Sequence, residues 1–265
     1  MSIQTKILHN NFEIFVNVDG EGEPLLLLHS YWGSSELFDS LAEKLATYFK
    51  VIRFDFPGHG KSAAPKKDYT FNEFAPTIDY LLTQISIDDK ILLVGHSMGG
   101  YASMAFAKQF SERVKKLVLM HSPLCDADAK SIKLREREAA LLQHGRKEIF
   151  LRTILPTNFA PGNETKFENA FDKINKISRE VTLEGALAAI HAINLRDDSR
   201  QNIKRLNIPK LIIIGKFDKV YDPEDMMKET IELSDTKVLL LNQSGHLGFL
   251  EEEKIVVKNL LAFLS

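Results

Sequence analysis

Cysteine is almost absent from this 265-residue chain, in which Cys125 stands alone. A single cysteine cannot form an intrachain disulfide, which is typical of proteins that work in a reducing compartment. The sequence also lacks any apolar run near the ~18 residues that a membrane-spanning helix needs. Residues 1–18 alternate polar and apolar side chains, without the continuous apolar segment of a signal peptide. We therefore expect a cytoplasmic protein that does not enter a membrane.

An excess of charge of one sign is missing as well. The chain carries 34 Lys and Arg against 36 Asp and Glu, a formal net charge of −2. This balance gives no basic surface for nucleic acid or for an anionic membrane. No group of Cys and His residues has the spacing of metal ligands. We expect a small-molecule substrate and no metal, while the oligomeric state is left open.

Short apolar runs recur along most of the chain, at 25–28, 51–54, 91–94, 116–120, 210–215 and 237–241. Runs of this length are typical of parallel strands buried on both faces. Amphipathic segments such as 36–49 and 71–85 lie between them, and this alternation predicts a doubly wound, mostly parallel α/β sheet. A hairpin with its turn at Asn10-Asn11 is predicted before the first run.

The alternation stops between residues 123 and 200, where the pattern predicts helices over 130–143, 146–155, 164–178 and 182–195. We interpret 123–200 as a helical cap, or lid, inserted into a core formed by 1–122 and 201–265. Apolar helix faces in the insertion favour a lid that excludes water and selects the substrate. A capping bundle without a role in selection is the alternative.

The motif Gly95-His96-Ser97-Met98-Gly99 has the form G-x-S-x-G between a predicted strand and a predicted helix. In that context the motif indicates a nucleophile elbow, a sharp turn that holds the serine hydroxyl above the sheet. Side chains two residues before and after the serine would collide, so glycine is needed there. Ser97 is the candidate nucleophile.

A serine needs a base to accept its proton and an acid to orient that base. In elbow enzymes the order along the chain is serine, acid, histidine. Asp218 follows the predicted strand 210–215, and His246 follows the predicted strand 237–241. They are the candidate acid and base, with His121 as a rival base and with Asp126 and Asp222 as rival acids.

Negative charge on a reacting carbonyl oxygen needs donors, and the loop after the strand 25–28 offers backbone N–H groups. Donors from this loop and from Met98 would form an oxyanion hole. We expect His29, Ser30 and Trp32 of the same loop to contact the substrate, together with Phe159 of the cap.

Five motifs in the same order resemble the α/β-hydrolase family, in particular its small, lid-bearing, esterase-like members. They are HSYWGS at 29–34, DFPGHGKS at 55–62, GHSMGG at 95–100, GKFDKV at 215–220 and SGHLGF at 244–249. The resemblance implies Ser97 as nucleophile, Asp218 as acid and His246 as base. It also implies Tyr31 and Met98 as oxyanion donors, residues 123–200 as the cap, and no cofactor.

The family usually has glycine where Ser30 stands. A positive φ at that position would strain a serine.

The motifs together predict a serine hydrolase, a carboxylesterase that transfers the acyl group of a small ester to water. Three alternatives stay open: a C–C bond hydrolase or lyase, a cofactor-free perhydrolase, and a receptor that binds a ligand and hydrolyses it slowly. Fold alone does not decide among them.

Overall fold

A computed structural model describes residues 2–9 and 12–265, and the predicted turn at Asn10-Asn11 lies outside the described residues. Within these described residues, eight strands form one sheet. They are β1 (Ser2–His9), β2 (Phe12–Asp19), β3 (Glu23–Leu28), β4 (Phe49–Phe54), β5 (Ile91–His96), β6 (Val114–Met120), β7 (Lys210–Gly215) and β8 (Thr236–Leu241).

The strand order across the sheet is β1-β2-β4-β3-β5-β6-β7-β8. From β4 to β8 all neighbours are parallel, while β1 pairs with β2 and β2 with β4 in antiparallel register. The prediction of a doubly wound, mostly parallel sheet is confirmed. Because the order reverses between β3 and β5, loops at the carboxyl ends of these strands diverge and leave a crevice.

Both faces of the sheet are buried. In β3, Leu26 and Leu28 belong to one hydrophobic cluster, whereas Leu25 and Leu27 belong to the cluster on the opposite face. Successive side chains of a strand point to opposite faces, so an unbroken leucine run is what a sheet covered on both sides requires.

Twelve helices accompany the strands in the described part of the chain. They are α1 (Asp39–Leu45), α2 (Phe71–Gln84), α3 (Met98–Gln109), α4 (Ala129–Gln143), α5 (Lys147–Ile154), α6 (Asn163–Lys166), α7 (Glu168–Glu180), α8 (Leu183–Asn194), α9 (Arg200–Arg205), α10 (Pro223–Thr230), α11 (Gly248–Glu251) and α12 (Glu253–Leu264). Within the described residues, no helix combines the length and the apolar character that crossing a membrane requires.

The four helices predicted for the cap correspond to α4, to α5, to α6 with α7, and to α8. Helix α9 begins at Arg200 and leads into β7, so it crosses the predicted boundary between cap and core. The division of the chain at 122 and 200 stays a prediction. Within the amphipathic segment 36–49, a 3-10 turn that ends at Phe38 leads into α1, and the chain is already extended at Phe49, where β4 begins.

One close contact joins the cap to the core. A Cβ added to Gly185, in the first turn of α8, would lie 2.6 Å from the Cα of Gly58. The N–H of Thr182, the N-cap of α8, donates to the carbonyl of Gly58 at 2.8 Å. The two backbones therefore touch at a point where neither residue can carry a side chain.

This contact predicts whether a mutation at Gly185 stabilises or destabilises the protein. Alanine in place of glycine inside a helix normally stabilises by about 0.5–1 kcal/mol. We expect Gly185→Ala instead to lower the free energy of unfolding by about 1–3 kcal/mol, because the added methyl group separates α8 from the core. Urea unfolding measures this change. The exposed neighbour Glu184 provides the control, since Glu184→Ala should change stability by less than ~0.5 kcal/mol. A more stable Gly185→Ala protein would contradict the prediction.

Candidate active site

Ser97 lies at the junction of β5 and α3 in a strained backbone conformation, with φ 51° and ψ −116°. Glycines make the turn possible. A Cβ on Gly95 would lie 2.4 Å from the carbonyl oxygen of Gly99, and a Cβ on Gly99 would lie 2.1 Å from that of Leu28. The predicted glycine requirement at these two positions therefore has a direct steric cause.

Hydrogen bonds hold the strained residue in place. The N–H of Ser97 donates to the carbonyl of Met120 at 2.9 Å. Its carbonyl accepts from the N–H of Gly100 at 2.8 Å and from the hydroxyl of Ser122 at 3.1 Å. Because both backbone groups have partners, the surrounding structure can sustain a conformation that non-glycine residues seldom adopt.

Asp218 and His246 are in direct contact. The Nδ1–H of His246 donates to Oδ2 of Asp218 at 2.8 Å. The other carboxylate oxygen, Oδ1, accepts from the N–H groups of Val220 at 2.8 Å and Tyr221 at 3.1 Å. The carboxylate is thereby fixed in one orientation, and the Nε2 atom of His246 carries the lone pair of the ring.

The loop that carries His246 lies against both the elbow and the cap. The Nε2–H of His96, the residue before Ser97, donates to the carbonyl of His246 at 2.8 Å. The N–H of His246 donates to the carbonyl of Asn158 at 2.8 Å. The position of the candidate base therefore depends on the strand β5 and on a cap loop at once.

His121 is a second histidine on the same carboxylate. Its Nδ1–H donates to Oδ2 of Asp218 at 3.3 Å, the oxygen that also accepts from His246. The ring is fully buried, and Nε2 is a buried atom without a hydrogen-bond partner among the described residues. Sequence order made His121 a rival base, but the structure makes it a partner of the acid. The feature of the sequence that pointed to His121 as a site residue was its position directly after the strand β6.

Two opposing effects act on the pKa of Asp218. Burial alone would raise it, but the charge of His246 and the hydrogen bonds from His121 and His246 outweigh burial and hold it well below its usual range. The carboxylate therefore stays ionised at every pH at which the protein would work, as an acid that orients a base must.

The same three residues are the one group among the described residues whose atoms are close enough to share a metal ion, within 4.8 Å of one another. Both histidines already direct Nδ1–H at a single oxygen of Asp218, at hydrogen-bonding distances. A zinc ion, at about 2.0–2.1 Å from each nitrogen, needs both nitrogens deprotonated and would replace these bonds. The geometry favours a hydrogen-bonded cluster.

One predicted oxyanion donor belongs to the elbow, and the other lies in a loop whose first residue, His29, approaches Gly99. Met98 begins α3, and Tyr31 lies in the loop after β3. In the described part of the chain no backbone carbonyl accepts from either N–H group. The positive φ of the loop falls on Trp32, at 60°, and not on Ser30, so the serine that stands in place of glycine carries no such strain.

The side chains of that loop reach the cap. The hydroxyl of Tyr31 donates to Oε1 of Glu138 at 2.7 Å, and Nε1 of Trp32 donates to the same oxygen at 3.1 Å. Oε2 of Glu138 accepts from Arg135 at 2.8 Å. A buried glutamate of α4 therefore fixes the loop and the cap relative to each other, a connection that the sequence did not indicate.

His29 and Phe159 are both fully buried. Nδ1–H of His29 donates to the carbonyl of Ser30 at 2.8 Å, and its Nε2 accepts from the N–H of Phe56 at 2.9 Å. The ring of Phe159 packs against Phe171, with centroids 6.1 Å apart. Their predicted contact with substrate stays a prediction, and the contacts observed are with the protein itself.

The two rival acids lie elsewhere. The carboxylate of Asp222 caps the N-terminus of α10 and accepts from the N–H of Glu224 at 2.8 Å. Asp126 contributes its backbone carbonyl to Arg196. Asp218 is the candidate that contacts a histidine of the site.

A cavity of about 270 Å³ opens between the cap and the loop after β7. Its walls come from α4, α5, α8 and the residues that follow Asp218. The apolar side chains among them are Leu134, Phe150, Ile154, Ile193 and Val220. This volume suits a small substrate.

The family model for the alpha/beta hydrolase fold matches residues 23–172, more than half of the chain. The chain belongs to the α/β-hydrolase fold family. A solved structure of a thermophilic esterase from Thermogutta terrifontis, with malate bound, matches this α/β hydrolase with a TM-score of 0.92 and 24% identity, covering 100% of this chain and 98% of that one.

Two sequence relatives extend over most of this α/β hydrolase. Lipase 3 of Moraxella sp. (strain TA144) is 28% identical over 247 residues, 91% of this chain and 77% of the lipase. The 2-hydroxy-6-oxo-6-(2'-aminophenyl)hexa-2,4-dienoic acid hydrolase of Metapseudomonas resinovorans is 23% identical over 252 residues, 93% and 85% of the two chains. The relatives support a hydrolase of the α/β family.

The second hydrogen bond on Asp218 leads to a prediction about His121. A hydrogen bond to a charged group contributes about 1.5–3 kcal/mol. Since its loss leaves three of the four donors that hold the Asp218 carboxylate and loosens the oxygen that orients His246, we expect His121→Leu to lower kcat by about 10–100-fold with little change in KM. The side-chain amide of a His121→Asn variant can place an N–H near the position of Nδ1, so this variant should retain most of the activity.

Steady-state kinetics with an ester substrate measures both variants, and thermal denaturation checks that they fold. Equal kcat in the leucine variant and the wild type would show that Asp218 needs no second donor. Equal losses in both variants would assign His121 a packing role only.

The buried histidines predict how stability depends on pH. Burial lowers the pKa of His29 to about 4 and that of His59 to about 3, below the unfolded value of about 6.5. Both rings are neutral in the folded protein at neutral pH, so their contribution to stability is complete above pH 6.5. It is lost as the pH falls toward 4 and 3, because the unfolded chain binds protons that the folded chain does not.

Between pH 6.5 and 5 the expected loss is about 2 kcal/mol of unfolding free energy for each histidine. Urea unfolding at pH 7, 6 and 5 measures it. A His59→Gln variant should show a shallower decline than the wild type. A free energy of unfolding that is constant from pH 7 to 5 would rule out neutral burial of these rings.

Proposed function

We propose that the chain is a serine hydrolase that cleaves a small-molecule carboxylic ester by acyl transfer to Ser97. The observation that supports this most directly is the hydrogen bond of 2.8 Å between His246 and Asp218, in a loop that lies against the elbow of Ser97. A protein that only binds a ligand has no need of a strained serine together with an oriented histidine in an adjoining loop.

The geometry supports one proposed role for each residue. His246 donates Nδ1–H to Asp218, so its Nε2 has the lone pair that accepts the proton of the Ser97 hydroxyl as the oxygen attacks the carbonyl carbon. The N–H groups of Tyr31 and Met98 would donate to the oxygen that becomes negative. The imidazolium then protonates the departing alcohol.

Water completes the reaction. His246 removes a proton from the water molecule as it attacks the acyl-enzyme, and the proton returns to Ser97 when the acid leaves. Asp218 stays ionised throughout and stabilises the positive charge that His246 carries in each step. No step requires a cofactor.

Hydrolysis of a C–C bond next to a ketone is the second candidate. The named substrate of the Metapseudomonas relative carries a 6-oxo group bonded to carbon on both sides, and that relative matches 93% of this chain. The same three residues can serve this reaction, with a carbanion as the leaving group in place of an alcohol. Turnover of an aryl ketone dienoate beside short esters distinguishes the two.

The proposal predicts the effect of removing the nucleophile. A fluorophosphonate should label the wild type at one site, and Ser97→Ala should abolish both the label and ester turnover, leaving at most about 10³–10⁴-fold of catalysis over water. Mass spectrometry of the labelled protein locates the adduct. A label that persists in Ser97→Ala would remove Ser97 from its proposed role.

A histidine pair provides the control. His246→Gln should lower kcat as severely as Ser97→Ala does, because the two residues act as a unit. The exposed His144 offers a matched substitution, and His144→Gln should leave kcat unchanged. Equal activity in the two glutamine variants would contradict the assignment of His246 as the base.

A further inference from the structure

The cavity under the cap carries an excess of positive charge. Three of its lining side chains are cationic, Arg135, Arg196 and Lys219, and one, Glu138, is anionic. Glu138 is already neutralised, because its carboxylate accepts from Arg135 as well as from Tyr31 and Trp32 of the oxyanion loop. Among the described residues that line the cavity, none is left to neutralise Arg196 and Lys219.

Arg196 is the more unusual of the two. It is 9% exposed, yet its guanidinium forms no ion pair within residues 2–9 and 12–265. Its three hydrogen bonds go to the backbone carbonyls of Cys125, Asp126 and Ile193, at 3.0–3.1 Å. A guanidinium has five N–H donors, so the backbone carbonyls leave two, which a ligand would share with the neighbouring thiol of Cys125.

The neighbouring groups that the structure describes form no ion pair with Arg196, although the exposed carboxylate of Asp128 is close enough to interact with its charge. The ring of Tyr101 lies under the guanidinium, 4.7 Å from its central carbon, which is a cation–π contact with a neutral partner. The carboxylate of Asp128 is used at the N-cap of α4, where it accepts from the N–H of Ser131 at 2.6 Å. Burial of a charge without a counter-ion costs several kcal/mol, and a ligand carboxylate would offset that cost.

The cavity adjoins the candidate catalytic residues. Tyr221 lines it, and the ring of Tyr221 lies 5.7 Å from that of His246 between centroids. Thr157 also lines it and precedes Asn158, whose carbonyl accepts the N–H of His246. Tyr221 and the segment Thr157-Asn158 therefore separate the cavity from the base by one layer of residues, and Ser97 and His246 do not themselves line it.

We propose that Arg196 and Lys219 form a carboxylate subsite, so that the preferred substrate is an anionic ester with a free carboxylate a few carbons from the scissile bond. The inference rests on the proposed function and names the substrate class of that site. The free carboxylate of the ester accepts hydrogen bonds from two N–H groups of Arg196, which is the paired geometry that a planar guanidinium favours.

Matched pairs of esters test the subsite. Monoethyl succinate and monoethyl glutarate are compared with ethyl 4-methylpentanoate and ethyl 5-methylhexanoate, which have the same shape with an isopropyl group in place of the carboxylate. A pH-stat measures acid release. We expect kcat/KM of the wild type to be about 10–100-fold higher for at least one anionic ester than for its neutral partner, as a hydrogen-bonded charge pair gives.

Variants show which residues cause the preference for anionic esters. Arg196→Met should remove it, and Lys219→Met, at an exposed position, should reduce it severalfold. The control is Arg200→Met, because Arg200 is exposed, pairs with Asp198 and does not line this cavity. The preference should remain unchanged in that control. Thermal denaturation shows whether Arg196→Met is folded, and if it is not, Lys219→Met decides.

Three outcomes would overturn the subsite: equal kcat/KM for both members of each pair in the wild type, an unchanged preference in folded Arg196→Met, or an unchanged preference in Lys219→Met. If neutral esters are hydrolysed without an anionic preference, the proposed function stands and the subsite fails. If no ester is hydrolysed, glutarate binding to the wild type is measured by its thermal shift. A shift that Arg196→Met abolishes then supports the subsite, and no shift overturns it.

Discussion

A buried carboxylate is the constraint on which the rest of the site depends. Asp218 is removed from water, and an ionised group in that position must have its lone pairs occupied. Four donors meet this need: the N–H groups of Val220 and Tyr221, and the two histidines His121 and His246. The loop after β7 closes around one carboxylate oxygen, and the histidines from two other strand ends converge on the second.

The elbow supplies a second fixed point, which is held by sterics rather than by charge. Ser97 keeps its strained conformation because β5, α3 and β3 approach so closely that glycine alone fits at Gly95 and Gly99. His96 then links this turn to the backbone of His246. The ring of His96 therefore connects the strained turn at Ser97 to the loop whose His246 contacts the buried carboxylate of Asp218. This connection gives the site little freedom to rearrange.

The cap takes part in this arrangement through polar contacts. Glu138 of α4 binds the loop that carries Tyr31 and Trp32, and Glu251 of α11 accepts from the N–H groups of Ala160 and Gly245. Burial raises the pKa of Glu251, against the effect of these hydrogen bonds. A cap tied to both the oxyanion loop and the histidine loop can influence the geometry of the reaction as well as the choice of substrate.

Local patterns in the sequence predicted the fold, which the structure confirms, and three candidate residues, whose catalytic roles stay predictions. Buried strands appear in the sequence as apolar runs, and the carboxyl ends of parallel strands meet at one edge. The elbow motif and the positions of Asp218 and His246 directly after strands therefore made these residues and Ser97 the candidates. Contacts between segments far apart in the chain had no such signal. The bond from Tyr31 to Glu138 joins residues 107 positions apart, that from His121 to Asp218 spans 97, and that from Arg196 to the carbonyl of Asp126 spans 70. Only the tertiary structure determines these three hydrogen bonds, because folding brings together donors and acceptors that are far apart in the chain. The local periodicity of the sequence carries no information about such pairs.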